Sequence, residues 1–385
     1  MQQGLDYGLT EEQRNLARMA REFAERYIQP IRAELDRESR YPREIIQKMG
    51  EQGFFELFVP EEYGGQGLSV LNACLVVEHL SIVDGGTAIS YGVTGLGAIP
   101  LVLFGNETQK RRYLPPLARG EYQAAFALTE PWAGSDASNI KTTAVKQGDR
   151  YILNGQKKFI TNAGEADFYI VIASTQPDRG VRGLSAFIVE KDFPGFRVGR
   201  AEDKMGIRAS VQREIFFDNV EVPEENLLGK EGQGFKVAMM TLDRSRPIVG
   251  AQALGIAQGA FEEAVKYAKQ REQFGSPIIS FQAIQFMLAD MAIQIEAARA
   301  LVYSVARYID SGAKNISKAA AMAKTFASDV AMRVTTDAVQ VFGGYGYMRE
   351  FPVEKYMRDA KITQIYEGTN QIQRLVIARA LMREF

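Results

Sequence analysis

Four clusters in this chain hold side chains at spacings that chemistry could use. Glu367 lies in Gln364-Ile365-Tyr366-Glu367-Gly368-Thr369-Asn370-Gln371-Ile372-Gln373-Arg374, just ahead of a helix that Thr369 or Asn370 can cap. A carboxylate in an apolar cavity has its pKa raised toward use as a base, yet the same spacing also describes a solvated glutamate at a helix N-terminus. Within Ala127 to Asp136, a Gly134-Ser135-Asp136 turn follows a strand. Its free N–H groups could meet an anion such as a pyrophosphate, or Asp136 could simply cap its own turn. Lys158 to Gly164 closes another strand, with Phe159 beside Thr161 and Asn162, which either flanks a flat ring system or buries a phenyl over a polar turn. Arg271 to Pro277 and Gln340 to Gly346 both end helices on glycine, which stops a helix or lets a backbone approach a ligand. Asp243-Arg244-Ser245-Arg246-Pro247 adds a charged cluster midway along a helical stretch.

The remaining residues narrow the field by what they lack. With His79 and Cys74 each the only one of its kind, the chain has no disulfide of its own, no cysteine-cluster or His-His metal site, and one candidate for any triad histidine. Lys+Arg 46 against Asp+Glu 47 gives a net charge of -1, which predicts no nucleic-acid partner. Neither G-x-G-x-x-G nor G-x-x-x-x-G-K-[ST] occurs, so a nucleotide cofactor would need another cradle. Met1 to Thr10 lacks a basic leader region, and the expected setting is cytoplasmic and reducing. The uncharged stretch Gly85 to Asn106 is glycine-rich and holds Pro100, so it reads as buried helix and loop and not as a membrane span.

The elements that must position these clusters follow from periodicity. Thr10 with Gln13 opens an amphipathic helix to about Arg37; further helices follow Pro42 and cover Leu68 to Leu80 and Leu96 to Phe104. Seven short β-rich runs then lie between Ala124 and Phe217, punctuated by turns such as Asn154-Gly155 and Pro194-Gly195. Helical periodicity returns over Gly234 to Gln270, Phe281 to Ser311, Ser317 to Phe342 and Gln364 to Met382. The chain is therefore expected to be α+β: an N-terminal α-helical domain (1–120), a central antiparallel β domain (121–231) and a C-terminal four-helix bundle (232–385).

Taken together and in this order, the clusters resemble the acyl-CoA dehydrogenase family, from Leu9-Thr10-Glu11-Glu12-Gln13 through Pro60-Glu61-Glu62-Tyr63-Gly64-Gly65 to the segment around Glu367. The resemblance implies FAD lined by Phe126, Leu128, Thr129, Gly134, Ser135, Phe159 and Thr161, with Thr369 and Gln371 beside the catalytic loop. Phe159 stands where the family often has tryptophan. A neighbouring subunit would complete the site through Arg271, Phe274, Gln282, Gln340, Gly343 and Gly344, which implies a homotetramer built as a dimer of dimers.

By the same resemblance Glu367 is the base, because the position where other members place their glutamate is Ser245 here. Ser135, Asp243, Arg246, Tyr366 and Gly368 match substrate contacts, and Ser90, Tyr91, Thr94, Leu96 and Ile99 would line the acyl cavity. The implied reaction converts an acyl-CoA to its trans-2-enoyl-CoA, with the α-proton going to Glu367 and the β-hydride to flavin N5. Electrons then pass to an electron-transferring flavoprotein. Two other readings remain at this point: a flavoprotein oxidase or monooxygenase of the same fold, and a noncatalytic acyl-CoA-binding scaffold.

Overall fold

The computed structural model describes Leu5 and residues 7–384. Its first helix, α1 (Glu11–Phe23), begins with the expected capping box: Thr10 Oγ1 accepts from the Gln13 N–H at 3.2 Å, and Gln13 Oε1 accepts from the Thr10 N–H at 3.1 Å. The helix does not run on to Arg37 as predicted. A π turn at Ala24–Ile28 and Pro30 break it, and α2 (Arg32–Glu38) starts afresh. α3 (Arg43–Glu51) follows Pro42, and α4 (Val70–Ser81) is capped by Ser69.

The uncharged stretch forms one helix, α5 (Gly85–Phe104), that passes through Pro100 without the predicted loop. By length and composition α5 could cross a membrane, but most of it is enclosed by the protein, with Tyr91 packed on Phe54, Phe55 and Phe58. α6 (Glu107–Ala118), which the sequence reading did not predict, carries Pro115 and Pro116.

All seven predicted strand runs are strands: β1 (Ala124–Ala127), β2 (Thr143–Gln147), β3 (Arg150–Thr161), β4 (Phe168–Ser174), β5 (Leu184–Glu190), β6 (Phe196–Ala201) and β7 (Gln212–Pro223). A short β8 (Leu227–Leu228) joins them. The order is β6-β7-β3-β2-β4-β5-β8, with β1 against β4. The antiparallel expectation needs one correction, since β1 pairs with β4 in parallel, Ala124 opposite Phe168, and β2 touches β4 in parallel through Thr143 and Ser174. The β2–β3 hairpin intervenes between β1 and β4, so the chain re-enters β4 running in the same direction as β1.

β4 is buried on both faces and reads as an unbroken apolar run for that reason. Phe168, Ile170 and Ile172 join the helical core, while Tyr169, Val171 and Ala173 face a second core inside the β domain.

Among the described residues the C-terminal part has five α-helices where four were expected: α7 (Gly234–Gln270), α8 (Gln282–Asp310), α9 (Ser317–Phe342), α10 (Val353–Thr363) and α11 (Asn370–Glu384). α10 is the addition, and the predicted helix from Gln364 begins six residues later because 364–369 form the loop that carries Glu367. α7 crosses α4 closely, and a Cβ at Gly255 would sit 2.1 Å from the Glu78 carbonyl oxygen. Lys355 on α10 reaches both Asp84, the cap of α5, and Asp359, whose other oxygen accepts the Ile207 N–H at 2.6 Å. This buried knot joins the three parts of the chain.

Candidate active site

Glu367 adopts φ 51°, a left-handed conformation that a non-glycine residue holds only at a cost of order 1 kcal/mol or more and only where its surroundings impose it. Gln373 Nε2, one turn into α11, donates to the Glu367 and Gly368 carbonyl oxygens at 3.0 Å each. Lys324 Nζ on α9 donates to the Gly368 oxygen at 2.9 Å and to Asn370 Oδ1 at 2.8 Å. Thr369 Oγ1 accepts from the Ile372 N–H, so Thr369, one of the two expected residues, caps α11.

The Glu367 carboxylate accepts from Ser245 Oγ on α7, and its own backbone N–H has no acceptor among the described residues. Burial pushes the carboxyl pKa up, against the Ser245 hydrogen bond and the positive charges of Arg246 and Lys324. The residue as a whole is half-buried while its carboxylate faces the Ser245, Arg246 and Lys324 side. Tyr366 donates to Gln252 Oε1 and packs with Ile89, Val93 and Ile207.

One residue after Ser245 on α7, Arg246 is 5% exposed and Nη1 donates to Asp243 Oδ1 at 2.6 Å, while Asp243 also accepts from Ser317. The Arg246 Nε–H is buried with no partner, an orphan donor beside the carboxylate. Ser90, Tyr91 and Thr94 are fully buried and hydrogen-bonded to Gly86, Phe54 and Gln123, and Ile99 is 1% exposed. Leu96, the fifth expected residue, is half-buried, and Ile89 and Val93 of the same helix pack with Tyr366.

The residues after β1 and at the end of β3 are brought together. The Lys158 N–H donates to the Thr129 oxygen at 2.9 Å, and β3 slips register between Lys157 and Ile160. That bulge holds Phe159 at φ 60° and leaves its ring 59% exposed beside Thr129. Thr161 Oγ1 accepts from Gln212 Nε2 at 3.1 Å; Gln212 Oε1 and Asn162 Oδ1 are buried without partners. Phe126 and Leu128 pack into the core beneath, and the Gly134 and Ser135 N–H groups have no acceptor among the described residues.

Beneath that loop is a support absent from the predicted residues. Glu130 takes four donors: Lys157 Nζ at 2.8 Å, the Thr142 N–H at 3.0 Å, the Lys141 N–H at 2.7 Å and Trp132 Nε1 at 2.8 Å. Burial would raise its pKa, but Lys157 and these hydrogen bonds outweigh burial and hold Glu130 ionised. Desolvation lowers the Lys157 ammonium to about 8, still protonated at neutral pH.

A second predicted set gathers elsewhere. Arg271, Gly343 and Gly344 line a cavity of about 510 Å³ with Tyr267, Phe342 and Tyr345, and the Arg271 guanidinium lies 5.3 Å from the Tyr345 ring centre. Phe274 projects 96% exposed from the small β9–β10 hairpin (Glu272–Gln273 and Ser276–Pro277), and Gln282 at the start of α8 and Gln340 near the end of α9 are exposed. Gln371, on the first turn of α11, is also exposed. Among the described residues, no hydrogen bond, ion pair or ring contact joins the Arg271 set to the Thr129, Phe159 and Glu367 set.

Family comparisons agree along the whole length. The acyl-CoA dehydrogenase N-terminal, middle and C-terminal domain models match residues 10–121, 125–220 and 232–382. A short-chain-specific acyl-CoA dehydrogenase of Megasphaera elsdenii is 51% identical over 384 residues, covering 98% of this chain and 100% of the relative. The solved butyryl-CoA dehydrogenase of the same organism superposes with a TM-score of 0.96 at 50% identity, over 98% of this chain and 100% of that one. A chain solved in work on the electron transferring flavoprotein of Acidaminococcus fermentans and flavin-based electron bifurcation matches with a TM-score of 0.96 at 58% identity, with the same coverage. With all three of its parts matched in order and its relatives aligned end to end, this chain belongs to the acyl-CoA dehydrogenase family.

Proposed function

We propose that the chain oxidises a short-chain acyl-CoA to its trans-2-enoyl-CoA with FAD, Glu367 serving as the base. The observation that carries this reading is a carboxylate whose pKa is raised by burial, held in a strained loop beside the free Glu367 N–H and the orphan Arg246 Nε–H. The short-chain assignment draws on the relatives of that description.

FAD suits the residues present. Phe159 is largely exposed, with the Lys158 ammonium 5.1 Å from its ring centre, Gly134 and Ser135 have free N–H groups for phosphate oxygens, and a Cβ at Gly134 would meet open space. Phe126 and Leu128 would back the ring, with Thr369 and Gln371 at its catalytic side. When bound, FAD supplies the acceptor for the β-hydrogen and its electron pair.

The chain's own task is the α-proton. Glu367 Oε takes it, and the electron pair of the broken α C–H bond, drawn toward the thioester carbonyl, becomes the new Cα=Cβ bond as the β-hydrogen departs with its own pair. The Glu367 N–H is free to donate to the thioester oxygen as charge gathers there, a donor worth on the order of 3 kcal/mol. Desolvation brings the carboxylate closer in strength to a weak carbon acid. Asp243 and Arg246 would hold the CoA portion, with Ser135, Tyr366 and Gly368 around the thioester.

Two copies would share each flavin, one giving the Thr129–Phe159–Glu367 set and the other Arg271, Phe274, Gln282, Gln340, Gly343 and Gly344, in a homotetramer. We take an electron-transferring flavoprotein as the acceptor of the electrons and the cytoplasm as the setting. We also place the domain limits at 1–120, 121–231 and 232–385. Anaerobic titration of the yellow protein with butyryl-CoA is expected to bleach the flavin stoichiometrically. Persistent colour with butyryl-, hexanoyl- and branched acyl-CoA alike would discard the reading.

A further inference from the structure

Resting on Glu367 as the base, we propose that Lys324 is a positioning residue for it, a buried cation that clamps the loop of Glu367 and keeps its carboxylate ionised. Lys324 is fully buried on the inner stripe of α9, with Ala320, Ala327 and Ala331. Its ammonium meets no carboxylate within ion-pair distance among the described residues; its acceptors are the Gly368 carbonyl and the Asn370 amide oxygen, which flank Thr369 one and three positions after Glu367. A buried charge without an ionic partner is expensive, and a helix core of alanines would accept methionine at lower cost.

The geometry gives the charge two uses. It occupies the Gly368 oxygen, which the left-handed turn of Glu367 aims into the protein, and so holds the turn from the α9 side while Gln373 holds it from α11. It also places a positive charge behind the carboxylate. Glu367 is the charge that most favours the protonated form of Lys324, and Lys324 in turn favours ionised Glu367.

The other groups facing Glu367 do not replace it. Arg246 on α7 is bound to Asp243, which answers much of its charge, and Tyr366 on the loop is held neutral by burial. Asp329, the nearest acidic neighbour on α9, is engaged by Arg374, Asn370 and Gln364. Burial lowers the Lys324 pKa to about 8, so the cation persists through the neutral range.

The test compares Lys324→Met and Lys324→Arg with the wild type as FAD-loaded enzyme, following the rate of anaerobic flavin reduction by butyryl-CoA from pH 5.5 to 9. For Lys324→Met, the acidic limb of the rate profile is expected to move up by at least about half a pH unit, roughly threefold in rate along that limb. The plateau should fall as the loop loosens, while thermal stability is kept or raised. Lys324→Arg, which retains the charge, should keep the limb near its wild-type position even where misfit slows the plateau. A limb unmoved in Lys324→Met overturns the proposal, as does an equal movement in both variants.

Glu367→Gln in the same assay separates the two claims. Flavin reduction surviving in Glu367→Gln sinks the base assignment itself, whereas its loss with an unmoved limb in Lys324→Met sinks only the role of Lys324.

Discussion

The Ser245 hydroxyl donates to the Glu367 carboxylate across 122 positions of sequence, fastening the middle of α7 to the loop ahead of α11. The hydrogen bond favours the ionised acid and opposes the effect of burial. Ser245→Ala is therefore expected to raise the Glu367 pKa further. Flavin reduction near pH 6 should slow by roughly 10-fold, with much less loss at pH 9, because a hydrogen bond to a charged group is worth about 1.5 kcal/mol or more. Stopped-flow reduction at the two pH values checks this.

Glu367 itself costs the protein stability. Its folded pKa lies above the unfolded value, so the penalty is absent at low pH, grows as pH rises past the unfolded pKa and is complete above the folded one. Glu367→Gln should melt higher than wild type at pH 7.5, and the difference should shrink toward pH 4. A variant that melts lower at pH 7.5 would contradict this account.

Lys157→Met leaves Glu130 buried and ionised without its cation. A loss of about 3 kcal/mol is expected, measured by urea unfolding, and flavin retention should weaken because Glu130 anchors the turn that carries Gly134 and Ser135. Pairing it with Glu130→Gln should restore part of the stability.

Gly255→Ala tests the helix crossing. A methyl group there meets the Glu78 carbonyl oxygen, part of the α4 backbone, and α4 and α7 must separate to admit it. Destabilisation of about 2 kcal/mol or more is expected in thermal melts, although alanine is the better helix former.

Much of this was readable from residue pattern. The strands announced themselves because β-rich runs alternate with Asn-Gly and Pro-Gly turns, and α7 and α9 begin and end where their apolar spacing does. α10 escaped notice because its buried side mixes Val353, Tyr356 and Ala360 with two charged residues, Lys355 and Asp359, that join the knot with Asp84, and charge on the inner side blurs the apolar spacing. The parallel β1–β4 pairing is a matter of topology that no local signal encodes.

At the site, the chemical residues were visible as motifs while their supports were not. Lys324 could have been noticed as a lone cation on the alanine stripe of α9, and Glu130 and Lys157 only once the sheet had brought them together. The hydroxyls expected around the acyl group, Ser90, Tyr91 and Thr94, are already bonded inside the protein, a pairing that only the packing of α5 reveals.

The bare Phe274 hairpin and the Glu367 loop sit on one polypeptide, with no hydrogen bond, ion pair or ring contact between them among the described residues. Under the paired arrangement proposed above, two crippled alleles would heal one another. Chains bearing Glu367→Gln, refolded with chains bearing Arg271→Ala, would form hybrids in which one centre inherits both lesions and its counterpart inherits neither, so turnover would return from two inert parents.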